Sequence, residues 1–176
     1  MTAIMDAAEI RRALEALGEA IATDRRSDAP LALIGIRTRG VPLAGRLAKL
    51  LRERHGIQVP VGALDITLYR DDLSQIAHTP VLRGTEVPFS MDAREVVLVD
   101  DVLFTGRTIR AAMDAVSDLG RPAAVRLAVL IDRGHRELPI QPDYLGLRVE
   151  TRWNERIEVH LTECDGVEEV LKGSKG

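Results

Sequence analysis

The chain has 176 residues, of which 45% are hydrophobic and 29% are charged, and its formal net charge is -3. This length and apolar content suit one core without disulfide or metal staples, so we expect a single domain over residues 1–176. The balanced charge excludes a general attraction to nucleic acid or anionic membranes, so any polyanion site must be local. The lone Cys164 cannot form an internal disulfide, and residues 1–28 contain no secretory signal or membrane span. We therefore expect a cytoplasmic protein with no membrane partner.

The first half of the chain alternates between helical and strand patterns. Its apolar spacing predicts a helix from Asp6 to about Asp24, a strand at Leu31–Ile36, a helix that starts near Pro42 and ends at Gly56, and a strand at Val61–Tyr69. The run Leu31–Ile36 is almost entirely apolar, as expected for a strand that is buried on both faces. Arg70–Glu86 is polar and follows neither period, so it predicts a mobile loop or an exposed hairpin.

The second half continues the alternation. It predicts a strand at Val96–Val99, a helix at about Arg107–Leu119, a strand at Ala124–Ile131, and weaker strands at Tyr144–Leu147 and Ile157–Leu161. Strands that alternate with helices indicate an α/β fold with a parallel sheet, in which ligands bind beyond the carboxyl ends of the strands. Three polar turns, at 37–40, 100–108 and 132–137, follow predicted strands. We expect all three turns to meet at one edge of the sheet.

The turn after Val96–Val99 has the chemistry of a site for a phosphorylated sugar. Gly106 permits a tight turn, and the helix that follows directs N–H groups and its positive dipole end at a bound phosphate. Thr105 and Thr108 add hydroxyl donors. Asp100 and Asp101 would repel phosphate, so a sugar diol is their natural ligand. The structural alternative is that the two acids only end a strand and cap a helix.

The thirteen residues Val96–Thr108 resemble the phosphoribosyl pyrophosphate (PRPP) motif of type I phosphoribosyltransferases. The flanking segments Leu64–Leu73 and Leu127–Ile140 resemble the PyrR family, whose members are pyrimidine-operon attenuators and uracil phosphoribosyltransferases. The resemblance runs from about Ile10 to Gly146. It implies the type I phosphoribosyltransferase fold, with a central, mostly parallel sheet flanked by helices, a small hood and a mobile loop.

The resemblance also implies the residues of the site. The acids Asp100 and Asp101 would hold the ribose hydroxyls, Thr105–Thr108 the 5′-phosphate, and the turn around Arg39 the pyrophosphate. Arg39, Asp100 and Asp101 are the implied catalytic residues. The implied substrate-binding residues are Thr38, Arg39, Tyr69, Arg70, Asp71, Asp72, Asp100, Asp101, Val102, Leu103, Phe104, Thr105, Gly106, Arg107, Thr108, Asp132 and Arg133.

Three of these segments have ordinary alternatives. Without the resemblance, a turn such as that at 37–39 is more often a solvated loop than an anion site, and Tyr69–Asp72 would be ordinary loop polarity. Asp132 and Arg133 read as a surface ion pair of little energetic consequence. In the family, by contrast, the loop matching Tyr69–Asp72 closes over the substrate and excludes water, and the turn matching Asp132 and Arg133 lies near the base pocket.

The implied reaction joins N1 of uracil to C1 of the ribose as pyrophosphate leaves, giving UMP. Mg²⁺ would neutralise the pyrophosphate and be held mainly by substrate oxygens and waters, and no His/Cys cluster indicates zinc. Purine-using relatives carry an acid where this chain has Phe104, which disfavours a purine and offers a ring to a pyrimidine. A phosphoribosyltransferase for another base remains open, because the base is usually held by backbone groups.

PyrR proteins typically bind a stem-loop in the leader of pyrimidine messenger RNA, in a manner sensitive to uridine nucleotides. The basic residues that the family uses for this contact align here with Ala16, Glu19, Gln141 and Leu147. These replacements remove phosphate contacts and predict a weakened or altered RNA role. The resemblance also implies a homodimer or a higher homo-oligomer.

A rival interpretation is a UMP- or UTP-sensing attenuator that binds leader RNA and has little catalytic activity. The arginines Arg148, Arg152 and Arg156 could form a substitute RNA patch or an ordinary solvated surface. Trp153, which lies among them, could stack on a base or pack against another subunit. The intact PRPP motif favours the enzyme over this sensor.

Overall fold

The computed structural model describes residues 1–24, 28–71 and 84–174. In chain order its elements are β1 (Thr2–Asp6), α1 (Ala7–Thr23), β2 (Leu31–Ile36), α2 (Gly40–His55), β3 (Val61–Leu64), a 3₁₀ turn (Thr67–Tyr69), β4 (Glu95–Leu103), α3 (Arg107–Leu119), β5 (Ala124–Asp132), β6 (Tyr144–Arg148), β7 (Glu155–His160), α4 (Thr162–Asp165) and β8 (Glu169–Ser174). None of the helices in these ranges is long and apolar enough to cross a membrane.

The central sheet has five parallel strands in the order β3-β2-β4-β5-β6. Alternate residues of the strands enter two apolar clusters, one beneath α1 and α2 and the other beneath α3. Every residue of β2 is buried, because helices cover both faces of the sheet. The predicted parallel α/β sheet of the type I phosphoribosyltransferase fold is confirmed.

A second, antiparallel sheet, in the order β1-β8-β7, forms the predicted small hood. Two arginines, one at the start of α2 and one within it, bind carboxylates of the segment that joins the hood strands β7 and β8. Arg39 donates to Asp165, and Arg46 donates to Glu163 and Glu168. The sequence interpretation did not predict β1 or β8, which are short strands without clear alternation.

Most predicted helix boundaries are confirmed. Asp6 caps α1 in a capping box, in which Glu9 N–H donates to Asp6 and Glu9 accepts from Asp6 N–H, each at 2.8 Å. Gly56 ends α2 in the left-handed conformation, and Gly120 follows α3. These ends are set by local chemistry, which is why the sequence locates them.

Two predicted boundaries were wrong. The strand expected at Val61–Tyr69 ends at Leu64, because the Asp65 carboxylate accepts from the N–H and the hydroxyl of Thr67, at 3.0 and 2.6 Å, and so favours a turn. Strand β4 extends to Leu103 instead of ending at Val99, since its backbone remains paired with β5. Within the predicted loop or hairpin at 70–86, residues 72–83 lie outside the described residues.

Candidate active site

The turns that follow β2, β4 and β5 lie at one edge of the central sheet, as predicted. A cavity of about 380 Å³ is lined by Arg37, Thr38, Asp65–Thr67, Arg70, Asp100–Val102 and Thr108. A second cavity, of about 320 Å³, is lined by Arg70, Asp71 and Val102–Ile109. The two cavities share Arg70, Val102 and Thr108, and we refer to them together as the central groove.

The acids Asp100 and Asp101 lie near the end of β4, just before Val102 and Leu103, and line the central groove. Asp100 is only 7% exposed and Asp101 is half-buried. Asp101 N–H donates to Asp100 Oδ1 at 3.0 Å, and Val102 N–H donates to Asp101 Oδ1 at 2.8 Å. Burial, and then the charge of Asp101, raises the pKa of Asp100 well above its usual value, and burial also raises the pKa of Asp101. Such an arrangement costs stability and is typical of functional sites.

Neither acid caps α3, so the capping part of the structural alternative is wrong. The N-cap residue is Gly106, at φ 93°, a left-handed conformation that glycine adopts without strain. The first turn of α3 contains no acidic residue, and it borders the central groove. The hydroxyl of Thr105 accepts from Arg107 N–H at a long 3.4 Å. The amides of this turn and the dipole of the 13-residue helix α3 suit an anion in the groove.

The turn after β2 is packed tightly against the sheet. A Cβ atom on Gly40 would lie 2.3 Å from the carbonyl oxygen of Val99, and one on Gly35 would lie 2.4 Å from that of Gly40. Only glycine fits at these two positions, so the backbone of the turn can approach the sheet closely. The turn places Thr38 in the central groove, and the peptide bond between Arg37 and Thr38 is cis.

Arg39 points towards the hood. Its Nε and Nη2 donate to the two carboxylate oxygens of Asp165 at 3.1 and 2.7 Å. This hydrogen bonding raises the pKa of Arg39, and the charge of Asp101 contributes in the same direction. The guanidinium therefore lies within the electrostatic reach of the groove while it is held by α4.

The loop residues that were predicted to bind substrate divide into three groups. Arg70 and Asp71 line the central groove. Asp71 accepts from Arg107 at 2.9 Å and from Arg110, and the hydrogen bond from Arg107 lowers its pKa. Tyr69 instead packs against α3. Asp72 lies outside the described residues.

The Tyr69 hydroxyl donates to Asp118 Oδ2 at 2.7 Å. Burial, and then this hydrogen bond, raises the pKa of Tyr69 to about 12. The tyrosine thus fixes the start of the loop to α3, and its hydroxyl remains a donor at neutral pH.

Asp132 and Arg133, at the end of β5, do not form the surface ion pair considered above. Asp132 is 1% exposed, and Arg133 is 4% exposed. Asp132 accepts from Gly134 N–H at 3.0 Å and from Arg136 Nη2 at 2.7 Å. Burial opposes the charge of Asp132, but these hydrogen bonds hold its pKa below the usual value. Burial lowers the pKa of Arg133.

Arg136 is a residue of the site that sequence reasoning missed. It donates to the Phe104 carbonyl at 2.9 Å, to the Ile140 carbonyl at 2.8 Å, and to Asp132. It thereby joins the turn after β5 to the end of β4. The only sequence signal was its place in a highly polar turn, which does not distinguish it from its neighbours.

An aromatic cluster lies beside this turn. The ring centroid of Phe104 is 5.1 Å from that of Trp153 and 5.9 Å from that of His135, and the His135 and Trp153 centroids are 5.6 Å apart. The guanidinium carbon of Arg133 lies 3.9 Å from the Phe104 ring centroid. No pattern in the sequence connects Trp153 with Phe104. We refer to Phe104, His135 and Trp153 as the aromatic cluster.

The positions aligned with the family's RNA contacts carry no positive charge and lie on α1, the β5–β6 connection and β6. They are Ala16, Glu19, Gln141 and Leu147. Two of the substitute arginines have acidic partners: Arg148 Nη2 lies 3.4 Å from Asp132, and Arg156 Nε lies 3.0 Å from Glu158. These ion pairs reduce the local excess of positive charge.

Comparison with known proteins agrees with this geometry. Residues 5–160 match the family described as phosphoribosyl transferase domain. The chain is 56% identical over 167 residues to a protein of Deinococcus deserti named bifunctional protein PyrR, a match that covers 95% of this chain and 91% of that protein. It is also 56% identical over 168 residues to the bifunctional protein PyrR of Pelotomaculum thermopropionicum, covering 96% and 93%.

Among solved structures, the hypoxanthine phosphoribosyltransferase of Trypanosoma cruzi superposes with a TM-score of 0.74 at 16% identity, over 100% of this chain and 98% of that one. At this identity the likeness concerns the fold alone.

Proposed function

This chain belongs to the PyrR family of phosphoribosyltransferases, and we propose that it transfers the 5-phosphoribosyl group of PRPP to uracil, giving UMP and pyrophosphate. The observation that carries the proposal is the groove at the end of β4. There the buried Asp100 and the half-buried Asp101 adjoin a helix N-terminus that offers amides and no acidic side chain. A ribose 5-phosphate needs carboxylates that accept from its hydroxyl groups and, close by, amides that bind its phosphate.

In the proposed complex the ribose diol lies on the two acids. Hydroxyl groups donate to carboxylates, and the hydrogen bonds compensate the acids for the water that burial removes. The 5′-phosphate then lies against the turn at Thr105–Thr108, where the α3 dipole favours it. Thr38 and Arg39 are proposed to receive the pyrophosphate.

The proposed reaction forms one bond and breaks one. N1 of uracil bonds to C1 of the ribose, the C1–O bond to pyrophosphate breaks with its electron pair on the leaving oxygen, and the N1 proton is released. Positive charge that develops on the ribose is favoured by the nearby Asp100 and Asp101. The rest of the acceleration would come from holding the two reactants in register and from the acidity of uracil itself.

Phosphoribosyltransferases generally use Mg²⁺ with PRPP. In the described residues no group of three or more His, Cys, Asp or Glu side chains could hold a metal ion. The site therefore fits an ion that is held mainly by substrate oxygens and waters, with Asp100 and Asp101 as the nearby carboxylates. When bound, Mg²⁺ would neutralise charge on the pyrophosphate.

Uracil is the base that the local chemistry supports best. Phe104 replaces the acid that purine-using relatives carry, and its ring cannot accept a hydrogen bond from a purine. The test is a pyrophosphate-release assay with PRPP and Mg²⁺ in which uracil, orotate, hypoxanthine and adenine compete. We expect uracil to be consumed first. Faster use of another base would refute the uracil assignment, and binding of PRPP without release of pyrophosphate under any condition would refute the transferase.

A regulatory role in pyrimidine gene expression is the second candidate, favoured by the name bifunctional protein that the similar PyrR proteins carry. We propose that RNA binding is weaker here than the family pattern implies, because two of the aligned positions offer no positive charge to RNA phosphates. Glu19 on α1 is acidic and lies 3.1 Å from His55 at the end of α2, and the uncharged Gln141 accepts from Arg136. The test measures binding to a pyrimidine leader stem-loop and to a scrambled RNA at increasing salt. Tight, selective and UMP-dependent binding with negligible transfer would favour the sensor instead.

We further propose a cytoplasmic homodimer. The exposed, unpaired thiol of Cys164 suits a reducing compartment. Light scattering would give the mass of the assembly, and a monomer at all concentrations would refute the dimer.

A further inference from the structure

The aromatic cluster concentrates a scarce type of residue. The chain contains one Trp, two Tyr and two Phe, yet Trp153 and Phe104 lie in contact beside the central groove. Phe104 is the only aromatic residue among the described residues that line the cavity at the start of α3. A planar ligand that entered from the groove would meet this ring first.

The packing of this chain leaves the indole of Trp153 largely exposed to solvent. Its relative exposure is 55%, the largest among the exposed large apolar residues of the described ranges. Indole rings contribute most when they are covered, and this exposed indole lies 5.1 Å from the ring of Phe104, which lines the central groove. Its tilt of 44° to Phe104 leaves part of the indole uncovered.

The segment that carries Trp153 is braced by the end of β5. Arg133 donates to the Thr151 hydroxyl at 3.2 Å and to the Arg152 carbonyl at 3.1 Å. The Thr151 hydroxyl donates to the Arg133 carbonyl at 3.0 Å, and the His135 ring bonds to the Thr151 carbonyl at 2.6 Å. These contacts hold the indole beside Phe104 and reduce the entropy lost when a ligand binds.

We propose that Trp153 determines base specificity: its indole, together with the ring of Phe104, forms the surface on which the uracil ring of the substrate and of UMP packs. The inference rests on the proposed function, since it assumes a ribose held by Asp100 and Asp101. With the ribose there and the phosphate at α3, the base projects from C1 away from the phosphate, towards the end of β5. Ring-on-ring contact is available to any planar base. The guanidinium carbon of Arg133 lies 3.9 Å from the Phe104 ring centroid, so it takes up space beside that ring and favours the smaller pyrimidine over a purine.

The first test uses the intrinsic fluorescence of the wild-type protein, because its only tryptophan is Trp153. Titration with UMP is expected to change the emission, whereas ribose 5-phosphate, which lacks the base, is expected to bind by calorimetry without that change. An equal response to both ligands, or no response to UMP at saturation, would overturn the inference.

The second test compares Trp153→Leu with Trp153→Phe. Loss of one stacked ring is expected to raise the KM for uracil about tenfold. The KM for PRPP and the mass of the assembly should stay unchanged, and Trp153→Phe should recover most of the loss. Met113→Ala, which removes another exposed apolar side chain on α3 outside the central groove, is the control.

The outcomes separate this inference from the proposed function. If Trp153→Leu transfers uracil with an unchanged KM, the inference fails and the transferase stands. If the variant changes the mass of the assembly and leaves the KM for uracil unchanged, Trp153 is a subunit contact and the inference also fails. If the wild type binds UMP with a change in emission but never turns over uracil, the proposed function fails while the ring contact survives.

Discussion

The two ends of the central groove are built in different ways. The phosphate end comes from one continuous stretch, the end of β4, the turn at Gly106 and the start of α3. The proposed base end adjoins the groove at Phe104. It is assembled from the turn after β5, the segment before β7 and the end of β4, joined by the side chains of Arg133 and Arg136. The first end is therefore encoded locally, and the second depends on tertiary contacts.

The buried acids at the two ends, Asp100 and Asp132, differ in how their surroundings shift the pKa. Burial raises the pKa of Asp100, which has no basic side chain among its hydrogen-bond partners in the described ranges. Asp132 is equally buried, but Arg136 and Gly134 N–H lower its pKa. Asp100 therefore lacks a basic partner, as expected of a carboxylate that is proposed to bind the ribose. Asp132 is already hydrogen-bonded within the protein. Four predictions, which use five substitutions and their controls, test the comparison of the two ends, from the largest expected effect to the smallest.

Asp101→Asn should lower turnover about 10²- to 10³-fold, because it removes charge beside the ribose at the point where positive charge develops. The amide is nearly isosteric, so the fold should be retained. Pyrophosphate release measures the effect. Asp114→Asn, an exposed change on α3 at an acid 3.8 Å from Arg110, is the control and should leave turnover unchanged. Turnover close to wild type in Asp101→Asn would contradict the assignment of Asp101.

Arg136→Gln should lower the free energy of unfolding by about 2 to 3 kcal/mol, since it leaves the buried Asp132 with a weaker partner. It should also raise the KM for uracil more than that for PRPP, because the base end loses its link to Phe104. Denaturant unfolding and steady-state kinetics measure the two effects.

The matched control for Arg136 is Arg148→Gln. Arg148 approaches the same oxygen of Asp132 at 3.4 Å, but its side chain is 68% exposed, so its removal should change little. Equal effects of the two substitutions would show that Arg136 has no special place in the base end.

Gly106→Ala should cost about 1 to 2 kcal/mol, because an alanine at φ 93° is strained. It should weaken ribose 5-phosphate binding while leaving the base end intact. The control is Gly45→Ala, on the open surface of α2, where a Cβ would meet nothing within 4 Å. That change should be neutral or stabilise the helix. Unchanged affinity for ribose 5-phosphate in Gly106→Ala would argue against a phosphate at this turn.

Asp100→Asn and Asp132→Asn should shift the melting temperature in opposite directions, because the pKa of Asp100 is raised and that of Asp132 is lowered. The raised pKa of Asp100 means that its contribution to stability is present at low pH and is lost as the pH rises. Asparagine should therefore stabilise the ligand-free protein, more at pH 8 than at pH 5.

The pKa of Asp132 is lowered, so its contribution is present at neutral pH and is lost as the pH falls. Asp132→Asn should therefore destabilise the protein at neutral pH. Calorimetric melting at several pH values measures both variants, and shifts of the same sign would contradict the contrast.

The sequence predicted the phosphate end well and the base end poorly, for one physical reason. A strand, a glycine turn and a helix N-terminus are defined by neighbouring residues, so Asp100, Gly106 and the limits of α3 could be read from the pattern. Arg136 and the contact of Trp153 with Phe104 depend on how distant segments pack. Strand β8 was missed because it is specified by its pairing with β1, whereas its own residues show no clear alternation of apolar and polar side chains.

That pairing orders events during folding. Strand β1 pairs with a strand more than 160 residues away along the chain, so Asp6 must wait for Glu169 before the hood can close. The carboxylates that hold Arg39 and Arg46 belong to the same late segment. We expect the folding chain to form its central sheet early and to fix the turn at Arg39 only after β8 has joined the hood.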